Sequence, residues 1–199
     1  MSVRLRESLD REIDGPRGPY RIRVRGTLQL SPLLRPRRFV DELWINGEPT
    51  RLEKREQIER RMHHGLGLVA RDLQRPPALA IRTLAHAEAE GATDRVQLDG
   101  AVAWRIVGTR PFRRGPSERW TAWFTPSSTS PRLLRLRRER PLPDGGVLDR
   151  MTTYRRLDGL DLPVSHTVDA QIEQRRRLRT YTLVVHAEAT YDDPTVERE

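Results

Sequence analysis

Glu59 and His63 stand four residues apart with His64 beside them, so a helix through them would present two metal ligands on one face. Zinc takes three or four protein ligands, usually with second partners orienting the imidazoles, and no other His, Asp or Glu cluster lies near in sequence. A solvated helix end is the better account. Gly65-Leu-Gly67-Leu-Val-Ala70 has the outline G-x-G-x-x-A of a dinucleotide loop. Such a loop needs a buried strand to deliver its glycines to a helix N-terminus, and the charged, helix-patterned residues 55–64 supply none. Ser165 and His166 are neighbours in a strand pattern, so their side chains face opposite sides and cannot pair directly. No G-x-S-x-G elbow occurs, and the Asp192-Asp193 pair sits in a polar segment with no pocket to raise a carboxyl pKa. The absence of cysteine removes disulfides, thiolate chemistry and Cys-ligated metals. No catalytic residue, metal ligand set or cofactor loop is expected, and the chain reads as a binding protein.

Charge suggests one kind of partner. The 199 residues carry a net charge of +9 and a pI near 11.0, which invites an anionic ligand. Arg35-Pro-Arg-Arg38, Arg135-Leu-Arg-Arg-Glu-Arg140 and Arg175-Arg-Arg-Leu-Arg179 could track a phosphate backbone, with Trp120, Trp123, Phe124 and Tyr154 as stacking platforms. A basic nucleic-acid-binding module is therefore an alternative. Against it, Lys54 is the only lysine, which points to a GC-rich coding bias, and many arginines alternate with apolar residues as a strand's wet face should.

The elements that would position any site are mostly strands. Residues 3–13 form a short amphipathic segment before the breaker Gly15-Pro-Arg-Gly18. Tyr20, Ile22, Val24, Leu28 and Leu30 then alternate with Arg21, Arg23 and Arg25, and residues 39–45 end a second strand at Asn46-Gly47. Thr50 with Glu53 makes a capping box into a helix over residues 52–62. Further helical pieces cover residues 66–73, stopped by Pro76-Pro77, and residues 78–89. Strands follow at residues 95–98, 101–107, 118–125, 132–140, 147–157, 164–172 and 178–191, with turns at Asp99-Gly100, Asp144-Gly-Gly146 and Asp158-Gly159. No stretch approaches the ~20 apolar residues of a membrane span.

The fold class expected is mainly β (α+β): a curved antiparallel sheet or incomplete β-barrel of about eight to ten strands, with two or three helices covering its concave face. Residues 1–191 form one domain, with a helical lid insert at about 50–90, and residues 192–199 form a polar C-terminal tail. Val102, Trp104 and Ile106 share one strand face. Trp120, Ala122 and Phe124 share the next, followed by Leu134 and Leu136 and by Val164, Val168, Ala170 and Ile172. These residues either line an apolar hollow or form a packed core beneath the helices.

A resemblance favours the hollow. The hairpin Val96-Gln-Leu-Asp-Gly-Ala-Val-Ala-Trp-Arg-Ile106, the pair Trp123-Phe-Thr125 and Arg132-Leu-Leu-Arg-Leu136, and the turn Tyr154-Arg-Arg-Leu-Asp-Gly-Leu-Asp-Leu-Pro163 are similar to motifs of the LolA/LolB-like lipoprotein carriers and lipoprotein-sorting proteins. The final strand Arg179-Thr-Tyr-Thr-Leu-Val-Val-His-Ala-Glu-Ala-Thr-Tyr191 also resembles theirs, so the match spans residues 77–191, while the stretch before Ser31 offers fewer strands than that family has. The resemblance implies an incomplete barrel whose apolar lumen holds acyl chains. Here the lining would be Val102, Trp104, Ile106, Trp120, Phe124, Leu134, Leu136, Val164, Val168 and Ile172. It implies a carrier of acyl chains or lipidated protein, with arginines near anionic headgroups. The place would be the periplasm or cell envelope if a leader is removed, and the cytoplasm if Met1 is the true start. A protein-interaction scaffold with a filled core is the remaining alternative.

Overall fold

The computed structural model describes residues 2–16, 18–31, 36–54, 66, 69–70, 73, 76–77, 88–90, 93–111, 116–127, 129, 131–143, 145–176 and 179–197. They form one antiparallel sheet. Its strands are β1 (Ser2–Asp14), β2 (Tyr20–Leu30), β3 (Arg37–Ile45), β4 (Glu48–Pro49), β5 (Glu88–Ala89) and β6 (Asp94–Leu98). There follow β7 (Ala101–Arg110), β8 (Glu118–Phe124), β9 (Leu133–Pro141), β10 (Val147–Leu157), β11 (Leu160–Arg176) and β12 (Arg179–Glu197). The order across the sheet is β4-β3-β2-β1-β12-β11-β10-β9-β8-β7-β5, with β6 also paired to β7. The sheet is open, and β1 lies beside β12 in its middle.

The turns arise from residue types that tolerate a left-handed backbone. Asn46-Gly47, Asp99-Gly100 and Asp158-Gly159 each place two consecutive residues at positive φ, between 48° and 88°, the signature of a type I′ turn whose twist matches that of paired strands.

Several expectations change. Residues 3–13 are not a free amphipathic segment but most of a thirteen-residue strand. Val3, Leu5 and Leu9 are buried while Arg4, Arg6 and Asp10 are exposed. The period of two is obscured in the sequence because Glu7 and Arg11 take buried positions. Residues 192–197 are not a tail. They continue β12, with Asp192 opposite Arg6, Thr195 opposite Arg4 and Val196 opposite Val3. Among the described residues the strands number twelve against the expected eight to ten, because β1 and the two-residue strands β4 and β5 add to the meander.

The helical expectations are met only in fragments. Leu52–Lys54 is a single 3-10 turn. Val69, Ala70 and Leu73 have helical backbone, and the Val69 amide donates to the Leu66 carbonyl at 3.0 Å. Glu88 and Ala89, expected to end the third helix, are strand. Residues 55–65 and 78–87, which hold most of the predicted helices, lie outside the described residues, as do Glu59, His63, His64, Gly65 and Gly67.

Gly26 and Gly146 are required by contact, a Cβ on Gly146 falling 1.8 Å from the Gln171 carbonyl oxygen. At Gly26 the β2–β3 ladder slips by one residue, so that Arg25 faces Glu42 but Gly26 faces Val40. A Cβ on Gly26 would lie 2.0 Å from the Phe39 carbonyl oxygen. Gly47 has open space around it and only its φ of 88° to defend. Gly26→Ala should therefore lower stability by about 2–3 kcal/mol, and Gly47→Ala by only about 1 kcal/mol. Urea midpoints compare the two, and equal losses would mean that the close approach at the bulge is absent.

Candidate binding face

Register fixes which side chains share a face. On the inner face, one row runs Ile45, Ile22, Arg11, Ala187, Val168, Arg150, Arg138, Trp120, Gly108. The next row runs Leu43, Val24, Leu9, Ala189, His166, Thr152, Leu136, Ala122, Ile106. The polar members are Arg11, Arg150 and Arg138 in the first row and His166 and Thr152 in the second, so that most of them lie on β9, β10 and β11. A large apolar cluster covers β1, β2, β11 and β12, and a smaller one is made of Trp120, Ala122, Leu133, Leu136 and Tyr154, with Ile106 and Phe124 packed on it.

The ten predicted lining residues separate accordingly. Val168 and Ile172 are buried in the large cluster, which also contains Leu66, Val69, Ala70 and Leu73 from the covering segment. At this end the inner face is packed, and the two residues are core. Arg11 fixes the segment's end by donating from Nη2 to the Leu73 carbonyl at 2.8 Å. Trp120 and Leu136 belong to the small cluster, with Ile106 and Phe124 half-buried against it. Phe124 faces Trp104, which is 38% exposed, and Val102 is half-buried on the same strand.

Leu134 and Val164 are displaced by bulges. The β8–β9 ladder pairs Trp123 with Arg135 but Phe124 with Leu133, and the β10–β11 ladder pairs Thr153 with Ser165 but Tyr154 with Pro163. An inserted residue reverses the alternation beyond it. Leu133, which faces Phe124, and Pro163, which faces Tyr154, are thus the buried residues at these points, and neither Leu134 nor Val164 belongs to either cluster.

The inner face also carries a band of buried polar groups that the sequence reading missed. Glu7, fully buried, accepts two hydrogen bonds from Arg38, one of them at 2.8 Å from Nη2. In register Glu7 faces Gly26 on one side and Tyr191 on the other. Burial opposes the Arg38 charge, but Glu7 outweighs it and holds the guanidinium more firmly protonated than usual. Burial, followed by the Glu7 charge, pushes the Tyr191 phenol well above its ordinary range. Arg150 pairs with Glu118, and both are buried. Thr152 Oγ1 lies 2.8 Å from His166 Nδ1. His166 is pushed down to about 3 by burial first, then by the charges of Arg138, Arg150 and Arg38, with a hydrogen bond to the Met151 backbone pulling the other way. The imidazole is therefore neutral at every ordinary pH. The available signal was the phase of these residues: Glu7 and Arg11 alternate with Leu5 and Leu9, and Arg138 and Arg150 follow Leu136 and Leu148 at the same spacing.

Known proteins give little beside this geometry. No family model matches the chain, and no curated protein does. A solved structure similar to it is a domain described as outer membrane lipoprotein-sorting, from Vibrio parahaemolyticus, with 10% identity and a TM-score of 0.44 over 98% of this chain and 84% of that one.

The outer face carries the exposed charge. Arg21 pairs with Glu12, Arg23 with Asp10, Arg105 with Asp94, Arg135 with Asp99, and Arg137 with Asp149 and Glu139. Arg25 lies over the Trp44 ring at 5.3 Å, with Glu42 at 3.9 Å. Arginines neutralised this way across neighbouring strands are poorly placed to follow a phosphate backbone. A groove of about 590 Å³ opens on this face beside Pro19, Trp44 and Asn46. Among the described residues no group of three or more His, Asp or Glu is placed to hold a metal ion, and no helix is long and apolar enough to cross a membrane.

The sign of the pH dependence follows from His166. Its folded pKa, about 3, lies below its unfolded value, so the unfolded chain takes up a proton that the folded chain refuses. The resulting stability is present above about pH 6.5 and is lost as pH falls towards 3. Between pH 6.5 and 5 this group alone should remove about 2 kcal/mol. Urea unfolding of the parent chain and His166→Gln over that window should show a shallower slope in the variant; parallel slopes would place His166 in water.

Proposed function

We propose that this chain is a non-enzymatic binding domain for acyl chains, free or attached to a lipidated protein, acting in the bacterial cell envelope. One observation carries the reading. The β7–β9 end of the inner face is a ladder of apolar cross-strand pairs, Trp104–Phe124, Phe124–Leu133, Ile106–Ala122 and Ala122–Leu136, in which Trp104 is 38% exposed and Phe124 half-buried. A solvent-facing aromatic continuous with a buried apolar cluster gives a methylene chain a surface to lie on, and each CH₂ removed from water contributes ~0.8 kcal/mol. The packed end over β1, β2, β11 and β12 supplies the rigid support. That packed end also favours the second reading, an interaction scaffold that needs no guest.

Native mass spectrometry after gentle purification should show co-purifying lipid, and a fluorescent fatty acid should be taken up. Trp104→Ala should weaken uptake by roughly tenfold, the equivalent of ~1.4 kcal/mol of lost contact, with folding intact because the side chain is at the surface. No lipid and no uptake would remove the carrier and leave the scaffold.

A further inference from the structure

The sheet is open, and its two edges differ. On its far side β3 has a neighbour at Trp44 and Ile45, which pair with Pro49 and Glu48 of β4. Over residues 37–41 no strand lies beside it among the described residues. Pro36, which has no N–H to donate, bounds this stretch at one end. The slip at Arg25/Gly26, which leaves Asp41 with no residue opposite it on β2, bounds the other. Phe39 is the midpoint. It is 50% exposed. Arg37 and Asp41, two residues to either side of it, are exposed and have no partner among the described residues.

An aromatic flanked by opposite charges complements itself. A two-fold axis through Phe39 sets it against Phe39 of a second copy and sets Arg37 against Asp41 twice over. The Phe39 carbonyl oxygen lies where a Cβ of Gly26 would be, so it points at β2. Phe39 would then take the closely spaced position of the new pair, where side chains meet best, while Val40 turns its N–H and C=O away from β2.

We infer that β3 pairs antiparallel with β3 of a second copy over residues 37–41, an isologous contact that joins two sheets into one. The inference is independent of the acyl-binding reading, since β3 and the Trp104–Phe124 pair lie towards opposite ends of the sheet. Charges, proline and bulges ordinarily defend an edge. Here they trim the edge and select one register. A shift by two residues sets Phe39 against Asp41 or Arg37 and loses both ion pairs. The β6 edge has no such symmetry: about its midpoint, Val96, Asp94 would meet Leu98, and Asp94 is already held by Arg105 at 2.7 Å.

Sedimentation velocity on the full chain tests the contact. The parent should show a monomer–dimer equilibrium that moves to monomer on dilution and with added salt. Arg37→Asp and Asp41→Arg each oppose like charges twice and should weaken dimerisation roughly tenfold or more. The double variant should return to within about threefold of the parent. These side chains are at the surface, so folding is retained. Should a variant fail to fold, hydrogen exchange of the parent decides: protection of the Val40 amide should rise with protein concentration. A parent that stays monomeric, charge reversals without effect, a double variant no better than the single ones, or Val40 exchange independent of concentration would each overturn the contact.

Discussion

Alternation along the strand governs this molecule. Once the ladder is set, each side chain's face is decided by a period of two, and the choice passes from strand to strand through the register. The row from Leu43 to Ile106 crosses nine strands without changing face. A sheet built this way needs points where the count is broken, and it has them at Arg4/Arg6, Arg25/Gly26, Trp123/Phe124 and Thr153/Tyr154. Without the slip beside Phe124, Leu133 would stand on the outer face and the small apolar cluster would lose a member.

The same alternation explains the cost of the polar band. Glu7, Arg150 and His166 sit in the inner phase of their strands, so the backbone commits them to burial whether or not they gain partners. Each is matched: Glu7 by Arg38, Arg150 by Glu118, His166 by Thr152. A buried ion pair of this kind is seldom a net source of stability, but it is strongly unfavourable to break. Such pairs hold a register in place, because a slip by one residue would expose one partner and strand the other.

How much of this can be read from the chain alone depends on the residue. The strand of residues 20–30 announces itself because Ile22, Val24 and Leu28 alternate with arginines, and the three Asx-Gly turns are visible because few other dipeptides accept two positive φ values. β1 is not visible, since Glu7 and Arg11 occupy its apolar phase. The end of β12 is hidden by Asp192, Asp193 and Pro194, with Asp193 at a φ of 47° opposite the irregularity in β1. Of the proposed lining, Trp120, Phe124, Leu136 and Ile106 are legible as a cross-strand set because the alternation holds through them. Leu134 and Val164 are misplaced because a bulge leaves no mark in composition. Arg138 and Arg150 look like ordinary wet-face residues until register sets them opposite each other.

The seam between β1 and β12 joins residues from opposite ends of the chain, Leu9 with Ala189 for example. A ribosome adding about 5–20 residues per second would release β1 roughly ten to forty seconds before its central neighbour exists. During that interval β1, β2 and β3 can assemble only as a three-stranded fragment, with Val3, Leu5 and Leu9 along a raw edge of the kind that recruits stray strands. Until β12 is made, the β1–β3 segment is thus open to misassembly along that edge, and a holdase that covers the edge would protect it over that interval.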